Sequence, residues 1–386
     1  MFRIRSIAIN NFKLINRIEL NNLPPSQWIF ITGENGFGKT LFLQAIATSL
    51  NPINNIINDT IADSGPQMTS MILLNTGHSF GIRVRVSGRA DFERNSNFIF
   101  LVCYGSSRLE TLPEISQREL ESSNTGLNRL FKERTILKNI EFELVKWKLK
   151  SELRNITDED RTLLNARINW VKSLFVKLLN LNRITINEHE ETVMYFEKDP
   201  NGNELEGVKK NLLGSGYKAL LGIIGDLIIQ LFATQPDNSN PNELVGIVLI
   251  DEIELHLHPR WQRQIPATLS EFFPNVQFIA STHSPIPLLG APKKSIFLKI
   301  DRSSDTGITV RRLEKLEKDI KYLLPNSIFT SDIFGFNDIE AEYDPRIDAL
   351  RTEDNYNEIE ELEKAKRRLR NIDNTVFPED LFNIQE

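Results

Sequence analysis

A glycine-rich segment near the N-terminus has the residue types of a phosphate-binding loop. Residues 33–40 match the pattern G-x-x-x-x-G-K-[ST] at every fixed position. Glycines let successive backbone N–H groups turn toward one anion, and a helix beginning near Lys39 adds its positive N-terminal end. Lys39 is expected to neutralise the β- and γ-phosphates of ATP, and the Thr40 hydroxyl is expected to ligate Mg²⁺. The expected cofactor-binding residues are Gly33, Glu34, Asn35, Gly36, Phe37, Gly38, Lys39, Thr40 and Leu41.

A pair of carboxylates far along the chain can complete this chemistry. Asp251 and Glu252 directly follow the apolar segment 244–250, which has the composition of a buried parallel strand. Hydrolysis of ATP needs an acid that holds Mg²⁺ and a group that orients the attacking water. Asp251 is the candidate metal ligand and Glu252 the candidate general base. An ordinary acidic pair at a strand end is the alternative, and the upstream phosphate loop favours the catalytic interpretation.

A histidine follows a second apolar strand. His283 lies in Ser281-Thr282-His283-Ser284-Pro285, directly after residues 276–280. Parallel sheets bind ligands at the carboxyl ends of their strands, so we expect His283 to donate to a γ-phosphate. A purely structural histidine is the alternative.

Three further residues, Glu254, His256 and His258, alternate along the chain and could bind zinc. Residues at i and i+2 share one side only in an extended segment. Pro259 predicts a helix directly afterwards, which disfavours a zinc site there.

The elements that must position these residues alternate between strands and helices. Residues 2–20 have the pattern of a strand pair, and residues 28–32 form a short apolar strand that enters the glycine loop. Residues 41–50 have helical spacing, so the order strand, loop, helix predicts the start of a parallel α/β sheet. Further strands are predicted at 80–86, 98–104, 184–196, 276–280 and 296–300, a loop at 51–80 and an apolar helix at 219–232.

The remaining segments are predicted to be helical. Apolar and charged residues recur at helical spacing within 125–182, and Thr157 begins a sequence typical of a helix N-cap, which predicts a helical hairpin. Beyond residue 310 the chain is charged and helical in character. The predicted domains are the N-terminal part of the head at 1–107, a helical insertion at 108–182, the C-terminal part of the head at 183–300 and a charged helical tail at 301–386.

Composition limits the classes of protein to consider. The 386 residues carry a formal charge of −6, and Cys103 is the only cysteine, which excludes an internal disulfide framework. The N-terminus lacks the apolar core of a signal peptide, and the longest apolar runs are far shorter than a transmembrane span. We therefore expect a cytoplasmic protein with no membrane partner. Two basic stretches, 146–154 and 364–370, leave DNA contact open, although interleaved acidic residues favour solvated helix faces.

Four motifs in fixed order resemble the ABC-type ATPases of the structural-maintenance, RecF and overcoming-lysogenization-defect (OLD) group, within the AAA family. The motifs lie at residues 35–40, 213–218, 250–259 and 281–285. The similarity covers residues 1–107 and about 205–300. It implies an ABC-type P-loop ATPase head with a mixed α/β sheet, here with a short helical-hairpin insertion and a helical C-terminal tail.

This resemblance implies specific roles and a homodimer or higher homo-oligomer. Residues 213–218 correspond to the signature motif, in which Ser215 and Gly216 would cap ATP bound to the opposite subunit, while Gly214 occupies the usual serine position. Residues 254–258 would contact that opposite subunit, and His283 would be the switch histidine. Gln67 is the candidate for the family's glutamine loop.

A narrower resemblance concerns function. Residues 104–108 and 213–227 are most similar to ATPase subunits of bacterial antiphage systems such as Septu. This implies a nucleotide-gated dimeric switch that controls a separate effector protein, a nuclease among the candidates. The alternatives are a RecF-like DNA-repair ATPase that binds DNA, or an OLD-type subunit that needs a partner nuclease. The chain after His283 contains no Asp-x-Asp pair, which argues against a nuclease within this chain.

Overall fold

The chain is seen here in a computed structural model, and its described part covers most of the predicted head. The described residues are 2–50, 69–75, 79–85, 100–106, 110–111, 129–131, 136–187, 190–238, 241–303 and 306–320. Gln67, the basic stretch 364–370 and the tail beyond residue 320 lie outside these ranges, so the predictions for them remain predictions.

Strands and helices alternate along the described residues. The strands are β1 (Arg3–Phe12), β2 (Ile15–Leu20), β3 (Trp28–Thr32), β4 (Thr69–Asn75), β5 (Ser79–Arg85), β6 (Leu101–Tyr104), β7 (Glu110–Thr111), β8 (Ile136–Leu137), β9 (Arg183–Asn187), β10 (Thr192–Phe196), β11 (Gly246–Ile250), β12 (Val276–Ser281), β13 (Ile296–Ser303) and β14 (Gly307–Arg312). The helices are α1 (Lys39–Leu50), α2 (Ile140–Ser151), α3 (Asp158–Leu178), α4 (Ser215–Thr234), α5 (Pro259–Phe272), α6 (Pro285–Leu289) and α7 (Glu314–Asp319). Short 3₁₀ turns lie at Lys210–Leu212 and Pro241–Glu243.

A six-stranded mixed sheet lies at the centre of the described part of the chain. Its order is β14-β13-β3-β12-β11-β6, with β14 antiparallel to β13 and all other neighbours parallel. Side chains alternate between the two sides of a strand, so Trp28 and Phe30 enter one apolar cluster while Ile29 and Ile31 enter another. The sheet is therefore buried on both sides, which explains its nearly continuous apolar strands. The predicted α/β fold with a mixed sheet is confirmed.

Different elements cover the two sides of this sheet. On one side lie α1 and an antiparallel sheet of order β2-β1-β4-β5. On the other side α2, α3, α4 and α5 share one core. The predicted hairpin in the insertion is present as α2 and α3, and the Thr157 hydroxyl accepts a hydrogen bond from the backbone N–H of Asp160 at 3.1 Å. The hairpin thus packs into the same core as α4, which begins within the predicted signature motif and is called the signature helix below.

Three features differ from the sequence predictions. Residues 69–75, predicted as loop, form β4, because they pair with β1 in a register that sets Ile7 opposite Ile72. Residues 301–312, assigned to the tail, instead extend β13 and form β14 at the edge of the central sheet. Both differences arise because segments that are distant in the sequence pair with each other, and the local pattern of apolar residues carries no information about such pairing.

Helix α4 is the third difference. It is long and apolar enough to cross a membrane by length and composition, although 72% of its most apolar window is buried inside the protein. Lys218 and Asp226 interrupt the apolar residues of this helix in the sequence. Counting uninterrupted apolar runs therefore did not indicate a segment long enough to span a membrane. A core helix passes the same test, so the finding is weak evidence for a membrane span.

A buried ion pair joins α4 to the central sheet. Asp226 is fully buried and accepts hydrogen bonds from the Arg129 guanidinium, from the Tyr104 hydroxyl at 2.8 Å and from the backbone N–H of Lys138 at 2.8 Å. Tyr104 ends β6, and its carbonyl oxygen accepts from the backbone N–H of Asp251 at 2.8 Å. One carboxylate therefore connects the insertion, the signature helix and the strand beside the predicted catalytic pair.

Removing this carboxylate should destabilise the protein strongly. Asp226→Ala removes the carboxylate that faces the buried Arg129 guanidinium and accepts from Tyr104 and Lys138, and we expect a loss of about 3–5 kcal/mol in the free energy of unfolding. Glu152→Gln removes one member of the exposed Lys148–Glu152 pair and should cost at most about 0.5 kcal/mol. Urea unfolding followed by tryptophan fluorescence compares the two. Equal unfolding midpoints would contradict the structural role of Asp226.

Candidate functional site

The phosphate loop connects β3 to α1 and depends on glycine at two positions. Gly33 and Gly38 have φ angles of 143° and 99°. A Cβ atom at Gly33 would lie 2.4 Å from the Ile300 carbonyl oxygen, and one at Gly38 would lie 2.5 Å from Ile308 Cδ1. Side chains would therefore be strained and would collide with β13 and β14. Strand β13, which was predicted at 296–300, and strand β14, which was not predicted, thus form the wall behind this loop.

Lys39 lies inside the curve of the loop. Its Nζ donates to the carbonyl oxygens of Gly33 at 2.7 Å and Glu34 at 2.8 Å, and the residue is 5% exposed. Burial lowers the pKa of Lys39 to about 8, while the carboxylates of Asp251 and other nearby acids oppose that shift. A buried ammonium group that donates to neutral carbonyl oxygens is suited to an anionic partner.

The carboxylate of Asp251 joins three segments of the chain. Asp251 directly follows the last residue of β11, and its Oδ2 accepts from the Thr40 hydroxyl at 2.7 Å. Its Oδ1 accepts from the Ser281 hydroxyl, at the end of β12, at 2.5 Å. The two predicted Mg²⁺ ligands, Thr40 and Asp251, are therefore brought together. No role was predicted for Ser281, although its position at the end of a strand indicates that it lies near the site.

Glu252 and His283 are the residues predicted to act on water and on the γ-phosphate. His283 Nε2 lies 3.7 Å from Glu252 Oε1, and the two side chains are 30% and 32% exposed. Glu252 has a φ angle of 51°, a strained conformation for a non-glycine residue. Its backbone N–H donates to the Ser281 hydroxyl at 2.7 Å. Burial lowers the pKa of His283, and the Lys39 charge adds to this effect, so a neutral imidazole is favoured.

Two of the three residues considered for zinc make other contacts, and no group of three metal-binding side chains occurs among the described residues. The His258 Nδ1 accepts from the backbone N–H of Arg260 at 3.3 Å and caps the N-terminus of α5. Glu254 points inward and accepts from the backbone N–H of His283 at 2.5 Å. His256 is exposed and has a φ angle of 63°.

The signature segment is anchored on α5. Gly214 caps the N-terminus of α4, and Gly214 and Ser215 are exposed. A Cβ at Gly216 would lie 2.0 Å from Trp261 Cζ3, and the rings of Tyr217 and Trp261 lie 4.9 Å apart. Glycine at 216 is therefore required for packing within this subunit, which the sequence analysis did not anticipate.

The donor set fits both predicted cofactors. A triphosphate needs free backbone N–H groups and a cation, and the glycine loop with Lys39 supplies them at the N-terminus of α1. Mg²⁺ prefers hard oxygen ligands, and the Thr40 hydroxyl and the Asp251 carboxylate are such ligands. Arg302 was not predicted near this site, yet its guanidinium donates to the Gly36 carbonyl oxygen at 3.4 Å.

Sequence and structure comparisons show which known proteins this chain is similar to. The Septu protein PtuA of Bacillus mycoides (strain KBAB4) is 28% identical over 360 residues, 87% of this chain and 45% of that protein. The retron Vc95 probable ATPase of Vibrio cholerae serotype O1 biovar El Tor is 38% identical over 129 residues, 33% of this chain and 22% of that protein. These alignments span less than half the length of the curated relatives.

The solved structures include an SmcHead bound to the C-winged helix domain of ScpA, with a TM-score of 0.48 and 17% identity, covering 82% of this chain and 99% of that chain. A family model described as "AAA domain, putative AbiEii toxin, Type IV TA system" matches residues 29–288. That match begins in β3 and extends past His283, so it includes the phosphate loop and the carboxylate pair. Because it covers more than half of the sequence, the chain belongs to this AAA domain family.

Proposed function

We propose that the protein is a Mg²⁺-dependent ATPase that works as a nucleotide-gated dimeric switch and controls a separate effector in bacterial antiphage defence. The observation that carries this proposal is the Asp251 carboxylate, which accepts hydrogen bonds from Thr40 and Ser281 beside the phosphate loop. The proposed metal ligand Asp251, the proposed base Glu252 and the lysine of the loop follow parallel strands of one sheet, and the carboxyl ends of such strands are where these sheets bind ligands, which supports the proposal.

Each residue then has a chemical task. Lys39 exchanges its carbonyl partners for phosphate oxygens, and the backbone N–H groups of the loop hold the same anion. Thr40 and Asp251 would hold Mg²⁺, which when bound neutralises charge on the β- and γ-phosphates. Glu252 orients the attacking water and accepts its proton, and neutral His283 donates a hydrogen bond to the γ-phosphate.

Two substitutions separate binding from hydrolysis. We expect Lys39→Ala to lose ATP binding, because it removes the buried cation. Glu252→Gln should retain ATP and lower kcat by about 10²–10⁴-fold, because an amide cannot accept the proton. Lys293→Ala, at an exposed lysine outside the loop, is the matched control for Lys39→Ala. Fluorescent-nucleotide titration measures binding and phosphate release measures turnover. A Glu252→Gln variant that hydrolyses ATP at the parent rate would refute the base assignment.

The proposed dimer would sandwich two ATP molecules between heads. The exposed N-terminus of α4 has free N–H groups that can cap ATP of the opposite subunit, and a two-fold axis would make this contact reciprocal. Binding of two nucleotides would favour closure, and hydrolysis would release it. Because Gly214 occupies the usual serine position and has no side chain, only backbone N–H groups and the Ser215 hydroxyl would contact the ATP of the opposite subunit.

Introducing a negative charge at position 215 tests the proposed dimer. Glu252→Gln should double in mass with ATP, as measured by light scattering. Adding Ser215→Glu should prevent this, because a carboxylate repels the γ-phosphate while it favours the helix N-terminus within its own subunit. Ser215→Gln is the neutral control and should still dimerise. We avoid Gly216 because any side chain there collides with Trp261. A mass that is unchanged by ATP in both Glu252→Gln and its Ser215→Gln derivative would rule out the nucleotide-gated dimer.

A RecF-like DNA-binding ATPase is the second candidate, and the basic residues of α2 motivate it. Lys146 and Lys148, however, pair with Glu143 and Glu152 on the same helix. We therefore expect duplex DNA to leave the ATPase rate unchanged, while the product of a neighbouring gene changes it severalfold. The rate of phosphate release is measured with duplex DNA and with the neighbouring gene product, each at low and at high salt, and this measurement decides between the two candidate functions. Salt-sensitive stimulation by DNA alone would favour the RecF-like function.

A further inference from the structure

The loop that carries Glu252 and the loop that carries His283 are held together by crossed hydrogen bonds. The backbone N–H of Glu252 donates to the Ser281 hydroxyl, and the backbone N–H of Ile253 donates to the Ser281 carbonyl oxygen at 3.0 Å. In the opposite direction, the backbone N–H of His283 donates to Glu254 Oε1 at 2.5 Å. The Ser281 side chain therefore accepts from the backbone of Glu252, and the Glu254 side chain accepts from the backbone of His283.

Glu254, like Asp251 in the same loop, is an acid in a largely buried position. Burial raises the pKa of Glu254, and its hydrogen bond from the His283 backbone opposes that shift. The side chain of Thr282 and the backbone of Glu254 itself also act to lower this pKa. Burying a carboxyl group is unfavourable unless it makes specific contacts, so this orientation needs an explanation.

A second contact fixes the same two loops farther from the chemistry. The Ser284 hydroxyl donates to Gln262 Oε1 at 3.1 Å, and Gln262 Nε2 donates to the Leu257 carbonyl oxygen at 2.9 Å. Gln262 can therefore keep the loops adjacent without Glu254. The contact that Glu254 adds is specific to the backbone of His283.

We propose that Glu254 is a positioning residue for the imidazole of His283. By accepting the His283 backbone N–H, it fixes the residue from which the side chain reaches toward Glu252, at the observed 3.7 Å. This inference rests on the proposed ATPase function, in which His283 contacts the γ-phosphate. It gives Glu254 an inward task, whereas the resemblance assigned residues 254–258 to contact with the opposite subunit.

Three substitutions of Glu254 test the proposal by steady-state ATP hydrolysis on the full chain. Glu254→Met has similar length but no acceptor, and leaving one buried N–H unsatisfied should lower kcat roughly tenfold with little change in KM. Glu254→Asp keeps the charge but is one methylene shorter, so it should lower kcat similarly. Glu254→Gln keeps an oxygen within reach and should retain most of the parent kcat.

A double-substitution cycle separates positioning from a general structural effect. In a His283→Ala background the imidazole is absent, so adding Glu254→Met should cause no further loss of kcat. Thermal unfolding and fluorescent-nucleotide binding confirm that each variant folds and binds ATP. Parent-like kcat in both Glu254→Met and Glu254→Asp, or additive losses in the cycle, would overturn the proposal. If Glu252→Gln is also fully active, the proposed ATPase mechanism itself fails; if Glu252→Gln is inactive, only the role of Glu254 fails.

Discussion

The hydrogen bonds to the Asp251 carboxylate are the contacts on which the candidate site depends. Thr40, Asp251 and Ser281 come from the start of α1, the end of β11 and the end of β12, and they meet because β11 and β12 are parallel and adjacent. Asp251 is only 2% exposed, so its charge requires these donors. The backbone N–H of Asp251 also donates to the carbonyl oxygen of Tyr104 in β6, and the Tyr104 hydroxyl donates to the buried Asp226 of α4. The site is therefore connected to the signature helix.

Glycine positions show how the loop and the signature segment are built by packing against distant elements. Gly33 lies against β13, Gly38 against β14 and Gly216 against Trp261 of α5. In each case a side chain would displace a neighbour far along the chain. The glycines of the phosphate loop thus serve two purposes, because they free N–H groups for an anion and allow the last strands to approach.

The sequence predicted the phosphate loop, the carboxylate pair and the helical hairpin because each has a local signal. A strand followed by glycines and a helix is such a signal for residues 33–40, and so is an apolar run ending in Asp251. The strands β4 and β14 had weak local patterns and form through pairing with distant partners. The inward direction of Glu254 and the Gly216–Trp261 contact were also unpredictable, since they depend on how separate loops meet in space.

The strand order of the central sheet has a consequence for synthesis of the protein. Strand β3 is made early, yet both of its neighbours, β12 and β13, are made near residues 276–303. At about 5–20 residues per second, the ribosome needs roughly 12–50 s to make the intervening segment. Throughout that time Trp28 and Phe30 lack the strands that cover them in the final sheet. The nascent chain therefore carries β3 without its neighbouring strands until β12 and β13 emerge, and the central sheet can form only late in synthesis.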